Sequence, residues 1–187
     1  AASPRHEWIE LANTSAETVS LAGWQIAFLD GTPSTITLSG EIAPFGLFLL
    51  ERTEEAVADI HADLVYGPAD LMADTGEGMA LFGGDGTLVD AVNLEGGPWP
   101  SGQAGTPART MERVDPTAPG DDDNWCTNDM LTQNGQDANG NSIHGTPRAR
   151  NSCYSERRPD LSVVKRGPET ARAGATLEYH IEVSNTG

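Results

Sequence analysis

Lysine is almost missing from this sequence: Lys165 is the only one in 187 residues. With ten arginines added, 11 basic side chains face 28 acidic ones, giving a formal charge of −17. No cluster of Lys and Arg exists to neutralise a phosphate backbone, which excludes nucleic acid as a partner. Long apolar runs are missing too. None approaches the roughly 20 residues that a membrane helix needs, so no insertion into a membrane is expected within this chain. There is no signal peptide, and the expectation is that one was removed or that the chain is an internal piece of a longer protein. Catalytic spacings are equally scarce: no Gly-x-Ser-x-Gly elbow, no His-Glu-x-x-His and no Walker loop. His6, His61, His144 and His180 are scattered along the chain, and the reading is that it is not an enzyme.

What is present is β-strand patterning broken by Gly and Pro. From Glu7 to Asn13 apolar and polar residues alternate, with Ile9 and Leu11 on one side and Trp8, Glu10 and Ala12 on the other. A polar turn and a second short strand ending at Gly23-Trp24 complete an expected opening hairpin. Trp24–Phe28 continues the alternation to a turn signal at Asp30-Gly31, and Ser34–Leu38 reads as the next strand. Ala43-Pro44-Phe45-Gly46 is a turn before a buried strand, 47–52. Thr53–Ile60 is the best helical candidate, with Thr53 as cap and Glu54 and Glu55 in the first turn. Ala62–Tyr66 is a short strand. Gly78–Phe82 and Thr87–Asn93 form a hairpin across Gly83-Gly84-Asp85-Gly86, and Arg109–Val114 is the last clear strand before periodicity vanishes over 115–152.

Jointly these motifs resemble the lamin-tail domain family, a set of non-catalytic immunoglobulin-like β-sandwiches. The resemblance rests on the Glu7–Leu11 strand, Asn13, Gly23-Trp24, the apolar strand, Asp85-Gly86 before Val89-Asp90-Ala91-Val92, and the closing Gly145-Thr146-Pro147 with Asn151. Arg148 departs from the family, which has a small residue there. The family's first strand precedes Ala1, so the sandwich is expected to lack it. Pro159–Gly187 holds two further alternating strands, around 160–165 and 175–187. They resemble the start of an immunoglobulin-like repeat found in tandem on bacterial surface proteins, so the chain is expected to stop inside a repeat.

Several residues invite chemistry. Cys126 and Cys153 are the only cysteines, and a disulfide between them would restrict the unfolded chain by roughly 3–4 kcal/mol; the alternative is two unrelated buried thiols. Asp121, Asp123, Asp137 and Asn139 carry the oxygen donors that Ca²⁺ prefers. The EF-hand pattern fails, however, because Ser142 and Arg148 stand where counting from Asp137 requires Gly and Glu. Ordinary turn chemistry explains such clusters as well. Trp99, between two prolines, and Trp125, beside Cys126, are candidates for stacking on a carbohydrate or for plain packing. Asn13-Thr14-Ser15 matches a glycosylation sequon and also a turn. Lys165 and Asn185 invite a Lys–Asn isopeptide bond, against an edge lysine that discourages stray strand pairing.

The expectation is therefore an all-β, immunoglobulin-like sandwich over 1–158 with a short helix near 53–60 and a long irregular C-terminal loop. Two strands of a second sandwich repeat follow over 159–187. Its expected role is a structural module at a prokaryotic cell surface, contacting other protein subunits or envelope components and self-assembling through strand edges. A carbohydrate-binding module and an accessory domain of a secreted hydrolase are the alternatives.

Overall fold

A computed structural model describes residues 6–29, 35–67, 72–154 and 161–185. The expected turn at Asp30-Gly31 and the final Thr186-Gly187 lie outside the described residues. The chain divides into two compact units, 1–154 and 155–187, close to the boundary expected at 158. Eleven strands form the first unit: β1 (Trp8–Ala12), β2 (Val19–Ser20), β3 (Gln25–Phe28), β4 (Thr35–Thr37), β5 (Glu41–Ile42), β6 (Leu47–Glu51), β7 (Leu64–Val65), β8 (Met79–Phe82), β9 (Leu88–Val92), β10 (Met111–Arg113) and β11 (Trp125–Thr127). They build sheets ordered β1-β6-β7 and β4-β3-β8-β9, with the pairs β2-β5 and β10-β11 beside them. All pairings are antiparallel except β6 with β7. The second unit is a hairpin of β12 (Leu161–Arg166) and β13 (His180–Asn185). The described residues are thus all-β, in several small sheets.

Alternation places the core. Ile26, Phe28 and Ile36 from the four-stranded sheet meet Phe48 and Leu50 from the three-stranded one, with Leu21, Leu38 and Ile42 filling between. Burying each such side chain is worth about 1.5–3 kcal/mol. Ile9 and Leu11 pack against this cluster as their strand parity requires. The β8–β9 hairpin forms where the Gly-rich turn predicts it, with a register shift between Leu81 and Phe82.

Two expectations are corrected. The opening segment is no hairpin: β1 pairs with β6, while β2 pairs with β5. Asn13 is the reason. It is only 7% exposed, and its Nδ2 donates to the carbonyls of Glu17, Ile42 and Ala43 at 2.7, 3.2 and 3.0 Å. Its Oδ1 accepts from Ser15 N and Oγ at 2.9 and 2.8 Å. The side chain therefore ties the turn to the β5–β6 connection. An amide so occupied is turn chemistry, and the sequon reading falls away.

The helix over 53–60 is also absent; that stretch is a series of turns. Val57 N–H donates to the Glu51 carboxylate at 3.1 Å and Ala58 N–H to the Gln136 carbonyl at 2.8 Å. Donors spent on those partners cannot close helical i−4 bonds. Ala56 and Val57 are buried against the body, so tertiary contacts override a weak local preference.

The irregular segment after β10 closes over the outer face of β1 and β6. Arg148 holds it there. Its N–H donates to Glu10 Oε1 at 2.7 Å, its guanidinium reaches the Leu47 carbonyl at 2.7 Å, and it pairs with Asp63. Asp63 in turn accepts from Leu49 N at 2.7 Å. Arg148 adopts φ 59°, a left-handed backbone that suits glycine, which fits the small residue that the resemblance leads one to expect at this position. Arg148→Ala should destabilise the protein by about 2 kcal/mol in urea unfolding. Arg148→Gly should cost about 1 kcal/mol less than that, because it relieves the left-handed strain.

Candidate interaction surface

Glu112 sits at the centre of β10 and is 3% exposed. Its Oε1 accepts from Asn128 Nδ2 at 2.7 Å, Thr146 Oγ1 at 3.0 Å and Thr110 Oγ1 at 3.2 Å. Its Oε2 accepts from Ser152 N and Oγ at 2.7 and 2.6 Å. One carboxylate thereby gathers β10, the bend after β11, the 145–147 turn and the segment before Cys153. Asn151 Nδ2 adds a bond to the Arg113 carbonyl at 2.9 Å. Gly145 is required by close approach: a Cβ there would stand 2.6 Å from Thr110 Cγ2 and 3.1 Å from the Trp8 ring. Cys126 and Cys153 are joined, with Cα atoms 6.6 Å apart, fixing the same junction covalently.

The residues singled out for Ca²⁺ are divided between two loops. Asp121 precedes the 3-10 turn Asp122–Asn124 that contains Asp123, whereas Asp137 and Asn139 belong to the bend 137–141. Asp137 Oδ1 accepts from Asn139 N at 2.9 Å and Asn141 N at 3.0 Å, and hydrogen bonds led by the one from Asn141 N hold its pKa below the ordinary carboxylate value. Among the described residues, the trio of metal-ligand atoms within 4.8 Å of one another is Glu112, Cys126 and Cys153, and both sulfurs are spent in the disulfide.

Trp99 and Trp125 face inward at their polar ends. Trp99 Nε1 donates to the Ala73 carbonyl at 2.8 Å and Trp125 Nε1 to the Gly120 carbonyl at 3.2 Å. Arg113 also lies 4.4 Å from the Trp125 ring centroid, occupying one face. Both are half-buried, so neither presents the open face and free N–H of a sugar platform. In the hairpin unit, Lys165 stands over the Tyr179 ring at 3.9 Å. Its backbone partner is Ile181, four residues from Asn185 along β13, so the register does not favour an isopeptide bond.

The site that sequence reasoning missed is the open edge of β1. Register and the bonds Arg52 N→Glu7 O and Asn13 N→Gly46 O show that residues 7, 9, 11 and 13 turn their amides toward β6. Trp8, Glu10 and Ala12 consequently point N–H and C=O the other way. Among the described residues, nothing bonds to those six groups. A groove of about 1090 Å³ runs along this edge, lined by β1, by Met79, Leu81 and Val92 of the facing sheet, and by the 98–113 segment. Ile9, Leu11, Trp24, Met79 and Leu81 are only partly buried. The core is open sideways.

Acidic groups rim this groove. Burial pushes the Glu10 carboxyl up to about 7, against the Arg148 N–H and guanidinium, which favour ionisation. Burial also raises Glu7, partly offset by the Met72 N–H and Arg52. The signal in the sequence was the parity of Trp8, Glu10 and Ala12; which edge would be vacant depended on sheet order, which no local pattern contains. No protein-family model matches this chain, and neither does any curated protein.

Two measurements follow from these side chains. Glu112→Gln puts an NH₂ against hydroxyl and amide donors and should lower the unfolding free energy by at least about 3 kcal/mol in urea titrations. Glu10 binds its proton more tightly in the folded than in the unfolded state. Its contribution is therefore full below about pH 4.5 and is lost as pH rises through about 7. Tm should fall between pH 5 and 8, and Glu10→Gln should flatten that slope.

Proposed function

We propose that this chain is a non-enzymatic structural module of an extracellular prokaryotic surface protein, an immunoglobulin-like sandwich of the lamin-tail type that joins protein subunits through strand edges. The observation that carries the reading is unpaired β-structure. The hairpin β12–β13 has two strands, and Val163, Ile181 and Val183 on one face are 64, 61 and 63% exposed. Two strands with a bare apolar face are marginal alone and gain stability by pairing with further strands. The open β1 edge presents the complementary need. A rigid frame supports this role: the disulfide and the Glu112 hub hold the irregular segment without regular secondary structure. The disulfide also fits an oxidising compartment. No helix among the described residues is long and apolar enough to cross a membrane.

Sedimentation of the full chain across a hundredfold concentration range tests the reading. Mass should rise with concentration, and a glycan array should stay blank. A strictly monomeric chain that retains defined sugars would instead favour the carbohydrate-binding alternative.

A further inference from the structure

We infer that the β1 groove is a strand-acceptor slot, and that its occupant is β12 of a second copy of this chain. This rests on the strand-edge reading above and names both the site and the partner. The six unpaired backbone groups of Trp8, Glu10 and Ala12 recur at every second residue, which is the spacing of another strand and of nothing more compact. The partly buried Ile9, Leu11, Met79 and Leu81 offer an apolar wall for one face of that strand.

Charge selects the donor. Residues 1–154 carry 23 acidic and six basic side chains, whereas residues 155–187 carry five of each. The whole charge of −17 thus belongs to the first unit, and two such units repel face to face. The second unit is neutral, and β12 ends in Lys165 and Arg166, adjacent basic residues. Laid antiparallel along β1, β12 brings this basic end to the Trp8 end of the slot, where Glu7 and Asp74 line the groove. Val163, 64% exposed in the hairpin, then enters the apolar wall.

Because donor and acceptor are different surfaces, each copy can receive one strand and give another. Such a contact is head-to-tail and propagates as an open filament unless the rotation closes.

Complementation of two variants of the full chain tests this. Ala12→Pro removes an N–H that faces the slot and not β6, so it blocks the acceptor while keeping the β1–β6 bonds. Val163→Asp spoils the donor and leaves the acceptor intact. Wild-type chains should gain mass with concentration, weakly so at high salt, and the amides of Trp8, Glu10 and Ala12 should become protected from hydrogen exchange as they associate. Each variant alone should be monomeric, with circular dichroism unchanged. An equimolar mixture should form a one-to-one pair of twice the monomer mass and grow no further. Association that leaves those three amides unprotected, or that survives Ala12→Pro, overturns the slot while the broader strand-edge reading stands. A wild-type chain that stays monomeric throughout overturns both.

Discussion

One buried carboxylate organises the part of this protein that has no regular secondary structure. Glu112 accepts hydrogen bonds from Asn128, Thr146, Thr110 and Ser152, residues drawn from a span of more than 40 positions. Each donor comes from a different bend, so their directions converge only if every bend is in place. The disulfide then locks the last of them to β11. With the irregular segment fixed, Arg148 can seat it on β1 and β6, and the three-stranded sheet is covered on its outer face as well as on its core face. A long loop becomes a structural layer.

The interior charges follow a consistent logic. The first unit has only six basic residues for 23 acidic ones, so its buried acids cannot all find a cation. Glu51, fully buried, takes the Val57 amide, and its pKa rises through burial. Glu10 takes the Arg148 amide, and Glu112 takes hydroxyls, an amide side chain and the Ser152 backbone. Peptide and hydroxyl dipoles do the work that lysine and arginine do in more balanced proteins. This exchange also shapes the fold: the donor that Glu51 captures at Val57 is one that a helix over 53–60 needed.

Strands were readable in the sequence wherever one face meets the core and the other does not. Ile9 and Leu11, Ile26 and Phe28, and the turn at Gly83–Gly86 all behave as alternation and turn chemistry require. Partnership was not readable. Asn13 looks like the tip of a hairpin, yet its side chain reaches the carbonyls of Ile42 and Ala43 and sends the next strand to a different sheet. β11 was hidden because Trp125–Thr127 is three residues long inside an acidic, Asn-rich stretch. Glu112 reads as an ordinary polar residue in a strand, since its five donors lie up to 40 residues away. The open β1 edge needs the order of strands in space before it becomes visible at all.

Neutralising interior acids with covalently fixed dipoles has an environmental consequence. Dissolved ions screen pairs of exposed side chains, but they do not compete for a peptide N–H sealed against a carboxylate. The packing around Glu51 and Glu112 is therefore indifferent to whether the surroundings are brine or fresh water. Only the outer shell, with its surplus of acids, registers the change.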